Sequence, residues 1–263
     1  MAINMTQEQK FEKSLPKEGK HLARLVEYIE VGDHVHPKFG AQKDSIILGF
    51  ELLSSGDIYE HEGEKRAPIF RTFPFKASRF HTSGAMKVFR GLNYKQDKRI
   101  TGFDQMIGVP CIINIQHREK QTTNKDGTKD KYAAFDFDHV AYAPVQQDVL
   151  TGDTQDIKVH PQINKSKVFD FHNPSAEVWN DLFIEGTYEN GETKNWIQAK
   201  VKSATNYPGS ALEKLLQSED TTASPVPEST PAPKQSDIED LAVPTSTSEN
   251  SNLGKDPLSA LED

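Results

Sequence analysis

A chain of 263 residues, 35% of them hydrophobic, can bury one moderate core rather than two large ones, and it holds no run near the ~18 apolar residues of a membrane span. Its one cysteine, Cys111, excludes an intramolecular disulfide and a multi-cysteine zinc site, and the polar stretch from Thr6 to Lys13 is unlike a signal peptide, so the expected location is reducing and intracellular. The net charge of -8 sits entirely in residues 217–263, where ten acids face two lysines; the remaining body is neutral, and overall acidity does not exclude a nucleic-acid-binding surface.

Residues 1–18 are polar apart from Phe11 and Leu15 and read as a flexible N-terminal arm. A first strand is predicted from His21 to Val31, with Ala23, Leu25, Ile29 and Val31 on one face and Arg24 and Tyr28 on the other. After a Gly- and Pro-containing loop, a second strand runs from Ser45 to Leu53 with Ile46, Leu48, Phe50 and Leu52 pointing one way. A third strand, Ile69 to Phe73, runs up to Pro74, with Arg71 and Phe73 facing the same way. Ser83 is a plausible N-cap for a short helix that stops near Gly91. Phe103 to Ile107 reads as one more helical turn, Cys111 to His117 as a fourth strand, and Tyr132 to Tyr142 as a fifth. The link between the last two, around Asp126-Gly127, has the composition of a long hairpin with a basic tip.

The third strand opens the most distinctive stretch of the chain. Between Lys65 and Arg99 there are ten basic residues, one acid (Asp97) and six aromatics. Cations that track a phosphate backbone, interleaved with rings on which bases stack, are what sequence-tolerant single-strand binding requires. The competing explanation is that Phe70, Phe73 and Phe75 fill a core while the cations sit on a solvated face. The candidate nucleic-acid contacts are Arg71, Phe73, Phe75, Lys76, Arg79, Phe80, Lys87, Arg90, Tyr94, Lys98 and Arg99, with Lys125, Lys129 and Lys131 of the basic hairpin closing over the strand.

The order strand, strand, strand, short helix, strand, strand over residues 19–144 is that of an OB-fold, a five-stranded barrel whose second and third strands and whose loops after strands one and four form the nucleic-acid face. The fold class expected is therefore mainly β. Residues 145–216 are expected to form a small appended α/β subdomain that packs on the barrel: a connecting segment, a helix from Ala176 to Leu182 opened by Asn173-Pro174, a strand or helix from Trp196 to Val201, and a closing helical turn from Ala211 to Leu216. Trp179 and Trp196 are assigned to its core. Residues 217–263 collapse into Ser, Thr, Pro and acids, a composition that cannot offset the entropy of ordering, so a disordered acidic tail is expected. Within it, Asp256, Leu258, Leu261, Glu262 and Asp263 suit a docking peptide for a basic-rimmed apolar pocket.

Leu15-Pro16-Lys17-Glu18-Gly19-Lys20-His21-Leu22-Ala23-Arg24, Gly108-Val109-Pro110-Cys111-Ile112-Ile113-Asn114-Ile115, Ile184-Glu185-Gly186 and Asn195-Trp196-Ile197-Gln198, with the strand order and the acidic tail, resemble bacteriophage single-stranded DNA-binding proteins of the OB-fold type. The resemblance spans residues 15 to about 216 and includes no catalytic motif. It implies a protein in the cytoplasm of an infected bacterial host that coats single-stranded DNA during replication, recombination and repair. It further implies that the acidic C-terminus recruits phage or host replication and recombination proteins and competes with DNA for the basic groove. The chain departs from the familiar bacterial pattern by ending Leu261-Glu262-Asp263, without the terminal proline-aromatic pair, which puts recruitment of host partners in doubt and leaves a phage-encoded partner open.

No cofactor is expected. His34-x-His36 lacks further ligands at zinc-like spacing, and neither a phosphate-binding Gly-rich loop nor a nucleophile elbow is present. Asp136-x-Asp138 would serve a metal-dependent nuclease or recombination enzyme, but two acids on the outward face of a strand are explained by edge protection. A phage structural or scaffold protein, with the tail as an assembly peptide, is the other alternative. Cys111 is assigned to the core.

Overall fold

The computed structural model describes residues 15–36, 40–61, 63–123, 127–139, 142–187, 191 and 193–222. The protein is mainly β. Its large sheet runs in the order β5 (Ile69–Arg71), β2 (Gly40–Leu52), β1 (Gly19–His36), β7 (Pro110–Thr123), β8 (Lys129–Phe135); β6 (Phe75–Lys76) also pairs β2, and β11 (Lys167–Phe169) lies parallel to β1. Two small hairpins, β3 (Tyr59–His61) with β4 (Glu64–Arg66) and β9 (Val145–Gln147) with β10 (Thr154–Asp156), stand off it. Helix α1 (Gly84–Leu92) and a 3₁₀ turn (Asp104–Met106) lie between β6 and β7. After β11 come α2 (Ala176–Asp181), α3 (Trp196–Lys202) and α4 (Ala211–Thr222).

The sheet does not close into the expected five-stranded barrel. Pro74 has no N–H to donate, and the third strand breaks around it into the short pieces β5 and β6. The two ends of the sheet meet through rings instead of backbone pairs: Phe73 is edge-on to Tyr132 with centroids 5.4 Å apart, and Phe75 is edge-on to Phe137 at 5.1 Å.

One β-bulge organises the interior. Leu25 pairs with Phe50 and Glu27 with Gly49, so Val26 is an extra residue and the side-chain alternation of β1 reverses there. Ala23 and Leu25 therefore enter a first core with Leu48, Phe50, Val88 and Ile113, whereas Ile29 and Val31 enter a second with Phe169, Trp179, Ile197 and Val201. The expectation that all four share a face is corrected. β2 has no bulge between Ile46 and Leu52, and there the predicted alternation holds: Ile46, Leu48, Phe50 and Leu52 face the first core and Ile47 the second. A further irregularity lies at Gly32, whose φ of +80° and 2.7 Å approach of a Cβ position to the Ala204 side chain both require glycine.

The region after β10 covers the outward side of β1 and β2. Buried Glu51 accepts hydrogen bonds from Ile163 N, Asn164 N and Asn164 Nδ2 at 2.6–2.9 Å, and Arg24 donates to the His160 carbonyl at 3.0 Å. Thr205 N donates to the Asp33 carbonyl at 2.8 Å. The segment Pro144 to Val168, expected from its lack of periodicity to be a connector, thus supplies a hairpin, this cover and the start of β11.

Several boundaries shift. Asp170 Oδ1 accepts from His172 N and Asn173 N, a local turn that delays α2, so its N-cap is Ser175 rather than Asn173. Residues 196–201 are helical, Trp179 is buried and Trp196 packs against the same core, as assigned. α4 continues to Thr222, past the position where the tail was expected to begin. Residues 15–18 of the expected arm are tied to the sheet, with His117 Nε2 bonded to the Pro16 carbonyl at 2.8 Å. The tail assignments Asp256, Leu258, Leu261, Glu262 and Asp263, and Lys125 of the hairpin, lie outside the described residues.

Candidate nucleic-acid interface

The rings of the basic stretch divide into two groups. Phe70 is buried in the first core, and Phe75 and Phe89 pack against it half-buried. Phe73 is 37% exposed and Phe80 is 65% exposed, while Tyr94 is half-buried.

Arg71 leaves the candidate set. Its Nε and Nη2 make a two-pronged pair with the carboxylate of fully buried Glu27, at 2.6 and 2.8 Å. The pair lies over Gly49, where any Cβ would overlap the Glu27 carboxylate. A guanidinium spent on compensating a buried charge is not available to a phosphate.

Beyond β6 the backbone is pinned, since Ala77 N donates to the Asp44 carbonyl at 2.9 Å. Ser83 then closes the loop that carries Phe80: its Oγ donates to the Ser78 carbonyl at 2.7 Å and accepts from Met86 N at 3.2 Å, and its N–H donates to the Phe80 carbonyl at 2.9 Å. Phe80 is thus held at the surface, tilted against His81. In α1 the buried side is Ala85, Val88 and Leu92, which leaves Lys87 and Arg90 on the exposed side one turn apart. Arg90 donates to the His81 carbonyl at 3.2 Å, and Lys87 sits 3.4 Å from Asp138 in an exposed pair. Such a pair contributes little and yields readily to a phosphate. Lys76, Arg79 and Lys98 are exposed as well. Arg99 is exposed but pairs with Asp97, and its hydrogen bonds hold the Asp97 carboxyl at about 2.

Lys129 and Lys131 project from the exposed part of β8, where Lys131 lies opposite Glu119 and Tyr132 opposite Arg118. Because Tyr132 also meets Phe73, the base of the basic hairpin adjoins the third strand, and the two features singled out in the sequence converge there.

Asp136 is not an outward strand charge. β8 ends at Phe135, and Asp136 is a buried tie that accepts hydrogen bonds from Asn114 Nδ2, Asp138 N, His139 N and the His139 ring at 2.7–3.3 Å. Burial alone would push its carboxyl up, but these four bonds prevail and hold it at about 2. Among the described residues no group of three or more His, Cys, Asp or Glu stands close enough to hold a metal ion, and no helix is long and apolar enough to cross a membrane. Cys111 is fully buried in the first core, where burial pushes its thiol up to about 12.

A cleft of about 640 Å³ lies where the end of β1 and β2 meets α1 and the 3₁₀ turn. Tyr28, Ile46, Phe89 and Phe103 line it, Lys76 and Arg79 reach it from one side, and Glu30 and Asp44 contribute carboxylates. The bulge at Val26 creates this site, because it turns Tyr28 and Glu30 toward the first core. The sequence reading missed both residues by following an unbroken alternation.

Comparison of the chain with protein families, with curated proteins and with solved structures gave no match.

Proposed function

We propose that the chain is a non-catalytic, sequence-tolerant single-stranded DNA-binding protein of phage type, built on an OB-like sheet and acting in the cytoplasm of an infected bacterial host. The strand path third, second, first, fourth, fifth, with α1 between the third and fourth, supports the OB-like reading. So does the ring contact between the third and fifth strands. The observation that carries the function is the exposure of Phe73 and Phe80 among Lys76, Arg79, Lys87 and Arg90, beside a hairpin bearing Lys129 and Lys131. A ring packed edge-on to a neighbour, as Phe73 is on Tyr132, or carried on a loop closed by hydrogen bonds, as Phe80 is, loses less freedom when a base stacks on it, and the cations release counterions from the phosphates. The outward side of β1 and β2 is covered, so the strand would run along the β5–β6 edge, α1 and the hairpin instead of across the sheet.

A titration of a fluorescent oligonucleotide at several salt concentrations tests this reading. Neutralisation of about six phosphates gives a log–log salt slope of about -4 for a single strand, with preference for single over double strands and no cleavage with Mg²⁺. A chain ending at Thr222 should bind more tightly if the acidic residues beyond it compete with DNA. A structural or scaffold protein would show no affinity at any salt. A nuclease would cut the strand and depend on Asp136 and Asp138.

A further inference from the structure

We propose that the cleft beside β6 and α1 receives one unstacked base of the bound strand and favours bases that carry an exocyclic amino group, cytosine, adenine and guanine, over thymine, which has none. The proposal rests on the single-strand-binding reading and adds a base preference to it. At about 640 Å³ the cleft falls within the range of small-ligand pockets. Its apolar wall is a fixed cluster of rings: Tyr28 stacks on Phe103 with centroids 6.2 Å apart, and Phe89 meets Phe103 edge-on at 5.7 Å. Lys76 and Arg79 line the same cleft and follow directly on the third strand, so a phosphate held by them leaves its base beside these rings.

The polar group that reads the base is Glu30. Tyr28 Oη donates to Glu30 Oε1 at 2.7 Å and Phe171 N donates to Oε2 at 3.1 Å, which fixes the carboxylate while leaving a lone pair on each oxygen. An ionised carboxylate only accepts, so it needs a donor. The amino groups of cytosine, adenine and guanine supply one, whereas thymine presents two carbonyl oxygens on either side of a single N–H. Burial raises the carboxyl's pKa, and the hydrogen bonds from Tyr28 and Phe171 N oppose that shift by favouring the ionised form. The preference would act at one nucleotide per bound copy, while the exposed rings and cations remain indifferent to sequence.

The test compares affinities of the full chain for oligo-dC, oligo-dA and oligo-dT at one salt concentration, and for an oligomer of the 2-pyrimidinone deoxynucleoside, which is cytosine without its amino group. The expected result is at least ~5-fold tighter binding of dC and dA than of dT, the low end of one good base contact, with the pyrimidinone oligomer falling to the dT level. Glu30→Gln, whose amide donates as well as accepts and so can also serve the thymine carbonyls, should narrow the dC/dT ratio toward one. Equal affinity for all four oligomers, or a dC preference that survives removal of the amino group, overturns the cleft assignment and leaves single-strand binding standing. Absence of binding to every oligomer overturns the function itself. The pyrimidinone comparison uses the unaltered protein, so a Glu30→Gln chain that fails to fold does not affect it.

Discussion

Arg71, read from sequence as a phosphate contact, and Asp136, read as an outward edge charge, are both used by the fold as ties. Glu27 is fully buried and the guanidinium of Arg71 is its two-pronged partner, so Arg71→Ala leaves a carboxylate in the interior with no compensation. Loss of one partner of a buried pair costs about 3–5 kcal/mol, and denaturant unfolding should show a cost of that order. DNA affinity of the remaining folded protein should be unchanged; a lower salt slope would return Arg71 to the interface. The sign for Asp136 follows from its depressed carboxyl, at about 2 against an unfolded value near ~3.9. The folded state binds fewer protons between these values, so the contribution is complete above about pH 5 and is lost as pH falls through 2. Asp136→Asn should remove that part of the acid-induced loss of stability, on the order of 2 kcal/mol, as read from unfolding free energies between pH 7 and pH 2.

At the scale of elements, the segment from β5 through α1 assigns its rings by alternation and by capping. Phe75 lies opposite Ile46 and packs on the first core and on Phe137, so Phe75→Ala should cost up to about 3 kcal/mol of stability. Phe80 is held outside by the loop that Ser83 closes, so Phe80→Ala should leave the unfolding midpoint in place and weaken binding by ~1–3 kcal/mol. Parallel melting and binding curves for the two variants check this division. An unfolding loss in Phe80→Ala with no binding effect would make Phe80 structural. The same helix was legible in advance because its signals are local: a serine whose Oγ accepts from Met86 N, then apolar residues one turn apart.

For the molecule as a whole, β1 is shared. Its first half contributes to one core and its second half to the other, while β2 gives Ile46, Leu48, Phe50 and Leu52 to the first and Ile47 to the second, so neither core can come apart alone. Unfolding should be a single transition, with tryptophan fluorescence from Trp179 and Trp196 in the second core coinciding with loss of the far-ultraviolet sheet signal. Two separate midpoints would show the region after β10 to be an independent unit. The sequence by itself determined what depends on neighbours along the chain: the main strands, α1 with its cap, the alternation of β2, the burial of Cys111 and the clustering of cations with rings between residues 65 and 99. Only the tertiary structure decided what depends on a partner strand. A bulge exists only relative to the strand it pairs with, so the reversal at Val26 was invisible, and with it the entry of Ile29 and Val31 into the second core and the cleft around Tyr28 and Glu30. The withdrawal of Arg71 was hidden for the same reason, because Glu27 lies forty-four residues away and meets it only once β1, β2 and β5 are side by side.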